Sequence, residues 1–356
     1  MAHNTTKMNK QTRVFKITSS NLSEVIRECA DIIQRGGTVA IPTETVYGLG
    51  ANALDPIAVN RIFYAKGRPA DNPLIVHVAS VQQLEEVVLE IPPKALSLIE
   101  AFWPGPLTLI LKRKGIVPDI TTGGLDTVAV RMPSDIVAQE LIRVAGKPIA
   151  APSANISGRP SPTNAAHVLY DLDGKIDAVI DAGNTCIGVE STVIDMSGQK
   201  PAILRPGYVS AKKIEEIIGE VEIGYNDHLT DPPGIVRSPG MKYTHYSPSA
   251  TVMLLEGTQD HVSNKIREMY AELTCKGDRV GLLVTDMALS SLTNDIVYLG
   301  AKDEPEEVAR NLFLGLRALD EKGVNIILAD GSFTHEGVGT AVMNRLRKAS
   351  EMIIQL

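Results

Sequence analysis

Cysteine is scarce in this chain. Cys29, Cys186 and Cys275 are odd in number, far apart and form no C-x-x-C pair. That argues against a disulfide framework or a thiolate zinc site and fits a reducing cytoplasm. Aromatic residues make up only 4%, which counts against broad stacking of single-stranded nucleic acid. Positive charge is not in excess: the net charge is −7. Proteins that use a broad basic face for nucleic acid are usually basic overall, so only local basic pockets remain open. No apolar run reaches about 18 residues, so nothing reads as a membrane span. The opening MAHNTTKMNKQTR has no apolar core and reads as a polar arm, not a secretory signal. Chemical signatures are missing too. There is no G-x-G-x-x-G and no G-x-x-x-x-G-K-[ST]. G-x-S-x-G is absent, which disfavours an α/β-hydrolase triad. H-E-x-x-H is absent, which disfavours a zinc hydrolase.

What is present is 356 residues, more than one core usually serves, so two domains are expected. Strand-like and helix-like segments alternate over the first two-thirds. VFKI (14–17), TVAIPT (38–43), PLIVHV (73–78), PLTLILK (106–112), TVAVRM (127–132), KPIAAPSA (147–154), DAVIDAG (177–183), STVID (191–195) and AILRPG (202–207) read as strands. Asn21 and Glu24 form a capping-box-like pair ahead of a helix ended by Gly36 and Gly37. Asp55 and Pro56 suit the N-cap and first turn of a helix running to about Tyr64. Further helices are expected at 135–145 after Ser134 and at 211–218 after Ser210. This is a mixed α/β sheet with helical cover. Residues 220–249 are proline-rich with little periodicity and read as a long linker. Strand and helix then alternate to the C-terminus, as in a small doubly wound, Rossmann-like domain. The predicted division is a polar arm (1–12), a first domain (13–218), a linker (219–249) and a second domain (250–356).

Polar clusters fall at predicted strand ends, where ligands bind in open α/β sheets. They are PTETVYGLG, KGRPADNP, DTVAVRMPSD, APSANISGRPSPT, GVESTVID and ILRPG, and they offer Lys66, Arg68, Arg131, Arg159 and Arg205 with hydroxyls at Thr45, Ser153, Ser161 and Ser191. Arginine forks and charge-assisted hydrogen bonds suit phosphates and carboxylates. Each residue also has a plainer reading. Lys66 and Arg68 equally describe a solvated helix end. A lone strand histidine such as His77 is more often a core residue, and Ser153 and Asn155 suit a turn. Arg131 is different, because it ends a β-branched strand and its buried stem requires a partner for the charge. Alternation places Leu74, Val76 and Val78 on one face of their strand and Ile75 and His77 on the other.

At these residues the sequence resembles the threonylcarbamoyl-AMP synthases, the YrdC-like family, in its long two-domain form. The motif pair K-x-R and S-x-N stands at Lys66-Gly67-Arg68 and Ser153-Ala154-Asn155. PTETVYGLG, WPGPLTLIL, VAVRMP, APSANISG and GVESTVID lie around it, and SPGMKYTHYSP and GVGTAVMNRLRKA follow in the linker and second domain. The resemblance covers nearly the whole chain. It implies a YrdC-like twisted mixed sheet with a large concave face. It implies synthesis of threonylcarbamoyl-adenylate from L-threonine, bicarbonate or CO2, and ATP with Mg2+. The product would pass to a threonylcarbamoyl transferase acting on tRNA beside the anticodon. Lys66, Arg68, Ser153 and Asn155 would form the catalytic set. Arg68, Asn72, Thr127, Ser153, Ser161 and Arg205 would hold ATP, with Tyr246 reaching back from the linker. Thr45, His77, Arg131, the backbone at Ala151, and Ser191 would hold threonine. A cytoplasmic monomer or weak oligomer with no membrane contact is expected. Two rival readings are an RNA-binding module and an enzyme using ready-made carbamoyl phosphate.

Overall fold

The computed structural model describes residues 11–225 and 246–356. The predicted arm therefore lies mostly, and the predicted linker largely, outside the described residues.

The first unit runs β1 (Arg13–Lys16), α1 (Leu22–Gln34), β2 (Val39–Ile41), β3 (Gly48–Asn52), α2 (Pro56–Lys66), β4 (Ile75–His77), α3 (Val81–Val87), α4 (Pro93–Phe102), β5 (Leu107–Lys112) and α5 (Asp119–Thr122). It continues through β6 (Thr127–Arg131), α6 (Ile136–Ala145), β7 (Ile149–Ala150), α7 (Ala165–Leu172), β8 (Ala178–Asp181), β9 (Thr192–Asp195), β10 (Ala202–Arg205), α8 (Ala211–Ile218) and β11 (Glu222–Ile223). These strands form one mixed sheet in the order β1-β8-β2-β3-β7-β4-β6-β5-β9-β10-β11. β11 pairs parallel with β10, so the sheet continues past residue 218 into the stretch read as linker.

Local chemistry explains most of the boundaries. The Asp55 carboxylate accepts from the amides of Ile57 and Ala58 at the start of α2, and Gly67, at φ +60°, ends it in the left-handed conformation. Ser210 caps α8 as expected. Two caps differ from expectation. Asp135, not Ser134, caps α6. Asn21 makes no cap bond; its Oδ1 accepts from the Thr18 amide, which folds the preceding turn instead. β3 was not expected. Its sequence GLGAN has low strand propensity, and it is held by antiparallel pairing with β2 and β7 on either side.

Alternation along β4 is borne out. Leu74, Val76 and Val78 enter the main apolar core with Val128 and Val130 of β6. Ile75 and Ala129 pack on the opposite face. β4 and β6 run parallel with His77 opposite Arg131, and β7 lies antiparallel on the other side of β4 with Ile149 opposite His77. This register brings the polar strand ends together.

The second unit runs β12 (Thr251–Glu256), α9 (Gln259–Cys275), β13 (Val280–Val284), β14 (Ile296–Tyr298), α10 (Pro305–Glu321), β15 (Ile326–Asp330), α11 (Val338–Ala349) and β16 (Met352–Gln355). Its sheet, β14-β13-β15-β12-β16, is parallel throughout. The two units share an apolar core, in which Val46 and Val189 of the first pack with Tyr246 and with Val308, Leu312 and Phe313 of the second. The approach is close at Gly188 (φ +85°), where a Cβ would lie 2.5 Å from the Ala309 oxygen and the Arg310 Cα. No helix among the described residues is long and apolar enough to cross a membrane.

Candidate active site

An open cavity lies over the face of β4 that carries Ile75 and His77, beside Arg131 at the end of β6 and the loop that follows β7. Thirteen of the fifteen residues singled out in the sequence line it: Thr45, Lys66, Arg68, His77, Arg131, Ala151, Ser153, Asn155, Arg159, Ser161, Ser191, Arg205 and Tyr246. Asn72 and Thr127 do not line it. Asn72 is buried in the turn before β4. Thr127 shares a strand face with Arg131 but begins β6 while Arg131 ends it, and four residues of strand span about 13 Å.

Lys66 is the last residue of α2 and is only 2% exposed. The solvated-end reading therefore fails for it. Its Nζ donates to the carbonyls of Ser153 and Asn155, both at 2.5 Å, tying the S-x-N loop to the helix. Burial, reinforced by the nearby Arg68 charge, pulls its pKa well below the usual lysine value. The same loop is fastened to β3, since the Ala154 amide donates to the Tyr47 carbonyl and the Leu49 amide to the Pro152 carbonyl. The turn reading of Ser153 and Asn155 is thus compatible with their place in the cavity.

Arg131 has the buried partner that its position requires. Its Nη2 lies 2.7 Å from the Glu44 carboxylate, both side chains being under 7% exposed. Its Nη1 donates to Thr45 Oγ1 at 2.9 Å and its Nε to the Gly105 carbonyl at 3.2 Å. Burial pushes the Glu44 pKa up, but the charge and hydrogen bond of Arg131 override this and leave it below the usual carboxylate range. His77 sits beside this pair. Burial, with the Arg131 charge, lowers its pKa to about 3, so the ring is neutral at physiological pH.

Arg205 ends β10 and donates through Nε and Nη2 to the Ser191 carbonyl and through Nη2 to Ser191 Oγ at 3.1 Å. Ser191 Oγ also lies 2.8 Å from Thr108 Oγ1. Ser161 Oγ donates to Glu190 Oε1 at 2.5 Å, and Glu190 Oε2 accepts from Nε of Arg345, on α11 of the second unit, at 3.0 Å. Tyr246 is buried against the second unit, its ring 5.3 Å from that of Phe313.

Glu44, Glu190 and Arg345 were not singled out in the sequence. A buried arginine demands an acid, so Arg131 was a signal for Glu44 in PTETV. Nothing local marks Glu190, whose cation is 155 residues away. Among the described residues no group of three or more His, Cys, Asp or Glu is placed to hold a metal.

The fold and cavity define a two-unit α/β protein whose cationic pocket, lined by lysine, arginines and hydroxyls, suits a small anionic ligand. Residues 31–207 match the Sua5–YciO–YrdC family model, described as "Telomere recombination". Residues 209–351 match the model of the threonylcarbamoyl-AMP synthase C-terminal domain. The threonylcarbamoyl-AMP synthase of Pyrococcus abyssi is 54% identical over 91% of this chain and 94% of its own. That of Bacillus subtilis is 47% identical over 91% and 92% respectively. The crystal structure of P. abyssi Sua5 complexed with L-threonine superposes with a TM-score of 0.90 at 50% identity, covering 97% of this chain and 99% of that one. The chain belongs to the threonylcarbamoyl-AMP synthase family, in its YrdC-like two-domain form.

Proposed function

We propose that this chain is a nucleotidyltransferase that makes L-threonylcarbamoyl-AMP and pyrophosphate from L-threonine, bicarbonate or CO2, and ATP. The observation that carries this is the convergence of Lys66, Arg68, Arg131 and Arg205 on one cavity. The reaction gathers three anionic groups: the threonine carboxylate, the carboxylated amine and the triphosphate. A pocket for it must neutralise negative charge, and preorganised cations where charge develops are usually the largest catalytic contribution.

Threonine is assigned to the Arg131 end, with its carboxylate on the guanidinium and Thr45, His77, the Ala151 backbone and Ser191 around it. ATP is assigned to Lys66, Arg68, Ser153, Asn155, Ser161, Arg205 and Tyr246. Asn72 and Thr127 are left out, because they lie outside the cavity. Magnesium enters as part of the MgATP substrate. Neither acid near the cavity suits a resident metal, since Glu44 is taken up by Arg131 and Glu190 by Arg345 and Ser161.

The threonine amine adds to the carbon of CO2 and loses a proton, giving an N-carboxylate. One oxygen of that carboxylate attacks the α-phosphorus, and the bond to the bridging oxygen of pyrophosphate breaks. The residues assigned to the site supply position and charge to this sequence; none of them is given a covalent role. The product is suited to a transferase that passes the threonylcarbamoyl group to tRNA.

Pyrophosphate release tests the reading. It should require threonine, bicarbonate and MgATP together, and mass spectrometry should find threonylcarbamoyl-AMP. Release from ATP without threonine, or product formed from carbamoyl phosphate, would overturn it.

A further inference from the structure

A side chain of the second unit stands directly behind the cavity wall, bonded to Glu190, which lines it. Arg345 is only 1% exposed and belongs to α11; besides Asn344 beside it on that helix, it bonds two groups of the first unit. Nε donates to Glu190 and Nη1 to the Pro206 carbonyl at 2.8 Å. Its guanidinium carbon lies 5.7 Å from the centre of the Tyr246 ring. Glu190, Tyr246 and Ser161 all line the cavity.

A buried carboxylate in a pocket for a triphosphate is out of place by itself. Unpaired, it would repel the ligand or take up a proton. Arg345 removes both problems by supplying the opposite charge. Burial would raise the Glu190 pKa, but the charges of Arg345 and Arg205 and the Ser161 bond hold it below the ordinary carboxylate range. An ionised carboxylate can only accept hydrogen bonds, so the proton in the Ser161–Glu190 contact belongs to Ser161. A hydroxyl has one proton. Ser161 Oγ therefore faces the cavity with lone pairs and can accept from a ligand hydroxyl or amine, but cannot donate to a phosphate oxygen.

We propose that Arg345 is a positioning residue contributed by the second unit, which fixes the polarity of Ser161 through Glu190 so that Ser161 accepts a hydrogen bond from the nucleoside part of ATP. This rests on the assignment of ATP to this end of the cavity. A second interdomain cation offers a control. Arg317 of α10 pairs with buried Asp171 at 2.7 Å and donates to the Pro160 carbonyl, and neither Arg317 nor Asp171 lines the cavity.

The test uses the full chain and measures KM for ATP and threonine, melting temperature, and binding of MgATP and tripolyphosphate by calorimetry. Arg345→Met should raise KM for ATP at least tenfold and change KM for threonine less than threefold. Adding Glu190→Gln should restore most of the loss, because the amide oxygen still accepts from Ser161 without the charge. Arg317→Met should lower the melting temperature and leave KM for ATP within threefold. Ser161→Ala should weaken ATP binding and leave tripolyphosphate binding unchanged. If Arg345→Met does not fold, Arg345→Gln should show the same bias at smaller size.

The proposal falls if both Arg345 variants leave KM for ATP unchanged, if Arg317→Met raises it equally, or if Glu190→Gln gives no rescue. It also falls if Ser161→Ala weakens both ligands alike. A wild-type chain that binds no MgATP would bring down the nucleotide assignment as well. Normal wild-type binding with unaltered Arg345 variants would bring down the positioning role alone.

Discussion

Arg131 is held at both ends of its fork, by Glu44 and by Thr45. Its removal alone would strand a buried carboxylate, an effect of about 3–5 kcal/mol on stability that would obscure any effect on binding. The informative variant is Arg131→Ala with Glu44→Gln. It should fold and lose about 2–5 kcal/mol of threonine interaction, seen as a rise in KM for threonine of at least 30-fold. Arg68→Ala should instead weaken ATP. An inverted pattern would exchange the two halves of the pocket. His77 gives a pH signature. Its folded pKa of about 3 lies below the unfolded value near 6.5, so in that window the unfolded chain binds the extra proton. Stability is complete above about pH 6.5 and falls on acidification. The contribution at pH 5 is on the order of 2 kcal/mol. His167, lowered to about 4 by burial and then by the Arg317 charge, acts in the same direction. Glu44 and Glu190 have lowered values, so their stabilisation is complete above the ordinary carboxylate range and is lost only as the pH falls below it. Urea unfolding at pH 7 and pH 5 should show a smaller drop for His77→Asn than for wild type; equal drops would rule out the buried neutral ring. At this scale the cavity was largely legible, because strand-end cations and hydroxyls stand out in an α/β pattern. The acids that balance them were not, since a buried ion pair is made by tertiary contact.

α2 carries the K-x-R motif, and its two ends are set by different residues. Asp55 satisfies two amides at the start, and Gly67 allows the turn that separates Lys66 from Arg68. Asp55→Ala should cost about 1 kcal/mol, read as a lower urea midpoint with an unchanged slope. No change would mean that solvent replaces the cap at no cost. This cap was readable because Asp-Pro is a local signal. The Asn21–Glu24 pattern is also local, but the asparagine is taken up by the preceding turn. β3 was the hardest element to read, while β7 falls inside the expected strand 147–154. GLGAN has little intrinsic preference, and its pairing with β2 and β7 makes it a strand. β16 lies at the chain end and is held by parallel pairing with β12.

The two units dock through a shared core, two buried ion pairs and the tight contact at Gly188. Gly188→Ala should force α10 away from the first unit. A left-handed φ adds strain to the clash. We expect a lower melting temperature and separated transitions for the two units, where tight docking in wild type couples them; an unaltered single transition would show that the contact yields easily. The existence of two units was visible in the alternation of elements and the proline-rich stretch between them. Their docking was not, because it joins residues far apart in the chain, as Glu190 and Arg345 are. Exchange of the C-terminal half between relatives would cut between those two residues. A hybrid chain could fold in both halves and still mismatch a carboxylate with whatever stands at position 345. Compatibility of donors is then decided at one buried charge, not by overall similarity, and drift in either half is restrained by the other.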